Sequence, residues 1–63
     1  MDNFKISLKS ARVNANYTQK EIADKLCVSK HTIINWEKGK TKISYPCLYM
    51  ICQFYGCNID NIK

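Results

Sequence analysis

Two helix starts lie only eleven residues apart in the middle of this chain, and their spacing limits the folds available to it. Residues 18–21 read TQKE, a capping box in which Thr18 and Glu21 each accept a hydrogen bond from the other's backbone amide. Ser29 is a second N-cap, because its hydroxyl can accept from an amide in the turn that follows. Only residues 27–29 separate the two predicted helices, so we expect them to cross steeply instead of lying side by side.

Apolar spacing predicts how far the first three helices run and which face of each is buried. The first helix is expected over residues 3 to 14, followed by Asn16, a residue type that tolerates a left-handed backbone. The second runs to about Leu26 or Cys27, and the third ends near Lys38, with Gly39 at the stop position. The residues expected on the inward faces are Phe4, Leu8, Ala11, Ile22, Ala23, Leu26, Ile33 and Trp36.

A fourth helix and a short last turn complete the prediction. Ser44 is in position to cap the fourth helix, Pro46 falls in its first turn and Gly56 stops it. Its buried face follows helical spacing at Leu48, Ile51, Cys52 and Tyr55. Asn58 then caps a turn containing Ile59 and Ile62. The pattern predicts an all-α fold of five short helices, in a single domain over residues 1–63.

Size and composition exclude several classes of protein. Sixty-three residues with 46% hydrophobic and 24% charged side chains indicate one small globular domain, with a net charge of +5. One histidine and only five carboxylates offer little for catalysis, so we do not expect an enzyme. The first five residues lack the apolar run of a secretory signal, and no uncharged stretch is apolar enough for a membrane span. A cytoplasmic location without membrane contact is therefore expected.

The cysteines do not have metal-ligand spacing. Zinc sites favour cysteine pairs two to four residues apart, and Cys27, Cys47, Cys52 and Cys57 contain no such pair. On one helix, Cys47 and Cys52 would point about 140° apart. We expect free thiols that fill the core as small apolar groups in a reducing compartment, with no metal and no cofactor. A metal- or redox-responsive switch stays open as an alternative.

Residues 18–40 (TQKEIADKLCVSKHTIINWEKGK) resemble the helix-turn-helix of the Xre/Cro-like, phage-repressor-type DNA-binding domains. The TQ-E-IA opening, the I-WE-GK ending and the later Gly-x-x-x-Asp at residues 56–60 all fall at the spacings of that family. The resemblance covers about residues 4–62, with the helix-turn-helix itself at about 18–38. It implies a compact, lambda-repressor-like five-helix bundle whose third helix enters the major groove of DNA.

Two positions depart from the family pattern. Cys27 stands where the family usually has glycine, at a turn residue that often has positive φ. A side chain there is strained by about 1–2 kcal/mol, unless the turn differs slightly. Ile43 replaces a frequent proline in the connection before the fourth helix. Neither change touches the expected DNA-facing surface.

The third helix offers an outward stripe of polar residues. Because Ile33 and Trp36 point inward, His31, Asn35 and Lys38 share the opposite side. The resemblance assigns DNA base contacts to Lys30, His31 and Asn35. Lysine reads guanine N7 and O6, and asparagine can pair with adenine N6 and N7, whereas histidine can donate to guanine or to a phosphate.

Phosphate contacts are expected around that stripe, from Gln19, Ser29, Thr32, Lys38 and Lys40. Gln19 opens the second helix, where free amides and the helix dipole favour an anion. Such contacts position the protein on DNA without reading its sequence. Arg12 and Glu37 occupy positions that pair in many family members, so the resemblance implies an ion pair that supports the scaffold.

The function expected from these features is a sequence-specific, double-stranded-DNA-binding transcriptional regulator that represses by blocking promoter access. One module of this size covers about 600–1,000 Å² of protein surface, so a homodimer on a palindromic operator is expected to add affinity. The resemblance places its contacts at Phe54, Cys57, Ile59 and Ile62. The lysine, isoleucine and asparagine content hints at a bacterial or phage genome. An antitoxin-like or protein-interaction module on the same fold is the alternative.

Overall fold

The computed structural model describes residues 5–62, which form four α-helices and a single 3-10 turn. The elements are α1 (Leu8–Asn14), α2 (Gln19–Leu26), α3 (Lys30–Lys38), α4 (Tyr45–Tyr55) and the 3-10 turn Ile59–Asn61. The described residues contain no strand, which confirms the all-α prediction. The predicted count of five helices is not confirmed, because the last element is three residues long and the Asn58 side chain makes no capping bond.

The first helix is shorter than the sequence predicts. It begins at Leu8 instead of residue 3, because Ser7 is extended and its hydroxyl accepts a hydrogen bond from the Ser10 amide at 3.1 Å. The preceding Ile6 belongs to a parallel bridge with Ile62. The start predicted at residue 3 and the expected core residue Phe4 lie outside the described residues.

The predicted caps of α2 and α3 are present. Thr18 Oγ1 accepts from the Glu21 amide at 3.0 Å, and Glu21 Oε1 accepts from the Thr18 amide at 2.8 Å. The Ser29 hydroxyl accepts from the Thr32 amide at 3.2 Å. Ser44 occupies the N-cap position of α4, but its side chain makes no capping bond. The starts of α2, α3 and α4 were therefore predicted correctly from local sequence. The predicted capping hydrogen bond from the Ser44 side chain is missing.

The turn between α2 and α3 has the left-handed backbone that the family pattern implied. Cys27 has φ 59° and ψ 40°, and the following Val28 amide donates to the Ala23 carbonyl at 3.0 Å. Asn16 is also left-handed, with φ 65°. Because Cys27 carries a Cβ atom in this conformation, the turn stores about 1–2 kcal/mol of strain that glycine would not.

The core lies where the four helices meet the 3-10 turn, and α2 and α3 pack closely against each other. Its buried apolar residues are Ala11, Ile22, Ala23, Ile33, Ile51, Cys52, Tyr55 and Ile62. Leu8, Leu26, Trp36 and Leu48 are half-buried and pack against this cluster. The expectation that the cysteines fill the core holds for buried Cys52 and for half-buried Cys57, which packs against the core. It does not hold for Cys27, which is exposed, and Cys47 is half-buried outside that cluster.

Candidate nucleic-acid interface

Helix α3 is fixed in place by core contacts on its buried side and by caps at both of its ends. Ile33 is 1% exposed at the centre of the core, and Trp36 packs against the same cluster one turn later. Ser29 caps the start, and the left-handed Gly39 ends the helix, with the Lys40 amide donating to the Asn35 carbonyl at 2.9 Å. These contacts leave one long side of α3 outside the core.

The outward side of α3 carries the residues that were assigned to base contacts. Lys30 and His31 are exposed in the first turn, and Asn35 is half-buried one turn further on. No hydrogen bond or ion pair within residues 5–62 involves the side chains of these three residues. Their donors and acceptors are therefore available to a partner.

The residues assigned to phosphate contacts flank this side of α3. Ser29, Lys38 and Lys40 are exposed, whereas Gln19 and Thr32 are half-buried. The hydroxyls of Ser29 and Thr32 lie 2.9 Å apart and share a hydrogen bond. Gln19 is also engaged, because its amide donates to Glu37 Oε1 at 3.0 Å. The lysines are thus free, while the three other side chains have intramolecular contacts.

A buried polar network connects α3 to the two helices before it. Arg12 Nε donates to Glu37 Oε2 at 2.7 Å, and the two side chains are only 10% and 6% exposed. A second guanidinium nitrogen of Arg12 donates to the Tyr17 carbonyl at 2.9 Å. With the Gln19 amide on its other oxygen, the Glu37 carboxylate is neutralised and fully occupied.

Sequence reasoning paired Arg12 with Glu37 through the family resemblance, and it missed the two further members of the network. Gln19 lies 18 positions from Glu37 along the chain, and no local pattern links them. The Tyr17 carbonyl is a backbone group, which residue identity does not single out. Both become visible only when α1, α2 and α3 are packed together.

The surface around α3 is positively charged. Residues 30–42 contain four lysines and a single acidic residue, Glu37, whose charge is compensated by Arg12. On α2, Glu21 is used in the capping box, and Asp24 pairs with Lys20 at 3.2 Å. Uncompensated positive charge therefore concentrates along α3 and the connection that follows it.

The residues assigned to a dimer contact fall into two groups. Phe54, Cys57 and Ile59 are half-buried, and the Phe54 ring meets the Tyr17 ring edge-on with centroids 6.5 Å apart. Ile62 is only 8% exposed and bridges to Ile6, so its side chain belongs to the core of this chain and offers little contact surface. The exposed apolar side chains of α4 are Tyr45, Tyr49 and Met50.

Two ionisable core groups are shifted by their surroundings. Burial, together with the neighbouring Cys57, raises the pKa of the Cys52 thiol to about 12. Burial and the nearby Glu37 carboxylate raise the pKa of Tyr55, whose hydroxyl has no hydrogen-bond partner within residues 5–62. Both groups are uncharged at neutral pH and act as packing.

Metal and membrane sites are not evident in the part of the chain that the structure describes. Residues 5–62 hold no group of three or more His, Cys, Asp or Glu side chains placed to bind a metal ion. Within the same residues, every helix is too short or too polar to cross a bilayer.

A tight turn between two helices that pack against each other, the second with a free polar edge in a positively charged surface, defines a helix-turn-helix protein. A family model described as helix-turn-helix matches residues 8–62 of this chain. The chain belongs to the Xre/Cro-like helix-turn-helix family.

Three relatives support the same assignment. An uncharacterized HTH-type transcriptional regulator of Methanocaldococcus jannaschii is 43% identical over 58 residues, which cover 92% of this chain and 88% of the relative. Another, from Archaeoglobus fulgidus, is 34% identical over 87% of this chain and 78% of its own length. The HTH-type transcriptional activator BcrR of Enterococcus faecalis is 34% identical over 94% of this chain, but only 29% of its own length. No solved structure matches the chain significantly.

These relatives include archaeal and bacterial proteins, so the expected bacterial or phage origin is not confirmed. Family membership and the names of the relatives support a DNA-binding transcription regulator.

Proposed function

We propose that this chain binds double-stranded DNA in a sequence-specific manner and represses transcription, with α3 lying in the major groove. The observation that carries the proposal is the free outer edge of α3. Lys30, His31 and Asn35 have no intramolecular side-chain partners within residues 5–62, while the opposite edge is anchored by Ile33. A major groove about 12 Å wide accepts an α-helix presented in this way.

Base reading is assigned to the three free side chains. Lys30 and His31 occupy the first turn of α3, the end that approaches base edges in helix-turn-helix docking. Lysine donates to guanine O6 and N7, and asparagine pairs with adenine through both polar atoms of its amide. Asn35 is half-buried and follows His31 by about one helical turn, so its amide is held more firmly than a fully exposed side chain.

Phosphate contacts are assigned to Gln19, Ser29, Thr32, Lys38 and Lys40. The lysines supply the charge that releases counterions from DNA and makes binding salt-dependent. The side-chain amide of Gln19 donates one hydrogen to Glu37. Its second hydrogen and the free backbone amides at the start of α2 remain for a phosphate. The network through Glu37 then ties that phosphate contact to the position of α3.

Repression of transcription and homodimer formation are the more specific parts of the proposal. A protein covering a promoter excludes other proteins from it, and two copies related by a twofold axis read a palindrome with half-sites about 34–36 Å apart. Phe54, Cys57 and Ile59 form the half-buried apolar surface at the end of α4, next to exposed Met50. Burying this surface between two copies would add to the small core of each chain.

The decisive experiment is selection of bound duplexes from a random pool at two salt concentrations, followed by sequencing. We expect enrichment of one palindromic sequence and a steep loss of affinity with added salt. Recovery of the unselected pool at both salt concentrations would contradict base reading. Enrichment of a single half-site without its inverted copy would contradict the homodimer while leaving DNA binding intact.

Repression is tested separately, by transcription in vitro from a promoter that contains the selected sequence. We expect transcript levels to fall as the protein saturates the site. A rise in transcript levels would instead make the chain an activator, as the E. faecalis relative is named.

A further inference from the structure

Cys52 and Cys57 lie close together at the end of α4, although a continuous helix would point residues at this spacing away from each other. Residues five positions apart on a continuous helix point about 140° away from each other. Helix α4 stops at Tyr55, however, and Gly56 reverses the chain with φ 72°. The Cys57 amide then donates to the Cys52 carbonyl at 3.2 Å. The backbones of the two cysteines are thus separated by a single hydrogen bond.

The thiols of these cysteines are also neighbours. In a helix ending of this kind, the side chains of the two hydrogen-bonded residues commonly touch. Here the side chain of Cys57 lies close enough to the Cys52 thiol to help raise its pKa. A disulfide joins residues whose Cα atoms lie about 4.4–6.8 Å apart, a separation that residues sharing a direct backbone hydrogen bond can meet. Cys47 lies on the continuous part of α4, where its spacing from Cys52 does not bring the two together.

We propose that Cys52 and Cys57 form a reversible disulfide within one chain, closed by a low-molecular-weight disulfide and reopened by small thiols. Cys57, half-buried, is the more accessible partner, while Cys52 is only 2% exposed. The Cys57 thiol loses a proton to solvent, and its sulfur attacks the small disulfide, releasing one small thiol and leaving a mixed disulfide. The Cys52 thiol then loses its proton and its sulfur attacks Cys57 Sγ, releasing the second small thiol.

The thiol–disulfide exchange balances in atoms and electrons. Two protein thiols are oxidised to one disulfide, and one small disulfide is reduced to two thiols, which take up the two protons. The raised pKa of Cys52 keeps that thiol protonated at neutral pH, which is consistent with Cys57 attacking first.

Formation of the Cys52–Cys57 disulfide links the end of α4 to the segment that follows Cys57. The chain after Cys57 forms the 3-10 turn Ile59–Asn61 and then the bridge from Ile62 to Ile6. A bond from Cys52 holds the start of this segment against the buried face of α4. We therefore expect a higher midpoint of thermal unfolding for the oxidised chain than for the reduced one.

The test exposes the dilute, fully reduced chain to an excess of oxidised glutathione and maps the products by mass spectrometry. Dilution keeps any pairing through Phe54 and Ile59 from shielding Cys57. Cleavage by chymotrypsin after Phe54 or Tyr55 places Cys52 and Cys57 on different peptides, so their linkage is read directly. We expect the Cys52–Cys57 link to exceed the Cys47–Cys52 link by about tenfold, because only the first pair is joined by a direct backbone hydrogen bond.

Two variants make the result decisive. Cys57→Ser removes the link and the oxidation-dependent shift in the unfolding midpoint, whereas the double variant Cys27→Ser, Cys47→Ser keeps both. Circular dichroism of the reduced proteins checks that each variant is folded. Mixed disulfides that never close, products joined only through Cys27, or a lower unfolding midpoint after closure would each overturn the proposal.

Discussion

At the scale of single residues, the proposed function distinguishes side chains that read bases from those that hold phosphate. Asn35 is half-buried on α3, whereas Lys40 is exposed on the connection after α3. A bidentate amide contact discriminates by about 1–3 kcal/mol at one position, and a lysine on phosphate does not discriminate at all. Substitutions of these two residues are therefore expected to change DNA binding in different ways.

We expect Asn35→Ala to relax the preference at one base-pair position of the selected sequence and to leave the others unchanged. Lys40→Ala should weaken binding to all sequences about equally and lower the slope of log affinity against log salt by about 1. Fluorescence anisotropy with single-substitution duplexes measures both effects. Lys9→Ala, which removes an exposed charge from α1, is the matched control. A uniform loss for Asn35→Ala would contradict its assignment to base reading.

The left-handed Cys27 is the residue at which this chain differs most clearly from the family pattern. We expect Cys27→Gly to raise the free energy of unfolding by up to about 1 kcal/mol, because the gain from relieved strain exceeds the entropy cost of glycine. Urea unfolding under reducing conditions measures the change. Cys27→Ala keeps the Cβ atom and the strain, so it should match the parent chain within about 0.5 kcal/mol. Equal stabilisation by alanine and glycine would exclude backbone strain as the cause.

At the scale of helices, the Arg12–Glu37 network ties α3 to α1 and to the start of α2. The ion pair is nearly buried, Arg12 also donates to the Tyr17 carbonyl between α1 and α2, and Glu37 also accepts from Gln19 in the first turn of α2. The pattern of caps located the starts of α2, α3 and α4 from two or three neighbouring residues, but the start of α1 was predicted incorrectly. The packing of the helices against one another depends instead on this network and on the apolar core contacts.

We expect Glu37→Ala to destabilise the fold by about 3–5 kcal/mol, because it leaves the buried Arg12 guanidinium without a carboxylate. A chain of this length has a total stability of roughly 3–9 kcal/mol, so the variant is close to unfolding. The double variant Arg12→Met, Glu37→Leu should recover most of the loss. Urea unfolding of the single and double variants gives the comparison.

The exposed pair Lys20–Asp24 provides the control for this prediction. Both of its side chains are more than two-thirds exposed, and Lys20→Ala should cost no more than about 0.5 kcal/mol. A double variant at Arg12 and Glu37 that is as unstable as Glu37→Ala would show that the unpaired charge is not the source of the loss.

At the scale of the whole molecule, the two ends of the described chain are joined. The Ile6 amide donates to the Asn61 carbonyl at 2.8 Å, and Lys5 Nζ donates to the Asp60 carbonyl at 2.6 Å. This closure moves the start of α1 to Leu8 and buries Ile62.

We expect the stability of the reduced protein to fall as the pH rises above about 9, the ordinary pKa of a cysteine thiol. The pKa of Cys52 is raised to about 12 and that of Tyr55 is also raised, so the unfolded chain releases their protons at a lower pH than the folded one. Each group contributes a slope of up to about 1.4 kcal/mol per pH unit between its two pKa values.

Urea unfolding between pH 7 and 10.5 tests this dependence. Tyr55→Phe removes one of the two titrating groups and an unpaired buried hydroxyl, so its stability should fall less steeply above pH 10 and be no lower at pH 7. Identical slopes for the two proteins would contradict a role for Tyr55.

The sequence by itself determined the features that depend on residues within a few positions of one another. The caps at Thr18 and Ser29 and the stop at Gly56 were predicted because hydrogen bonds within about one helical turn set them. The outward side of α3 was predicted because the apolar residues of its buried side recur at helical spacing. Tertiary structure decided whatever depends on distant partners. Glu37 meets residues 18 and 25 positions away, and Ile62 meets Ile6 across nearly the whole chain. Such contacts form only when packing brings the segments together, and no local pattern encodes them.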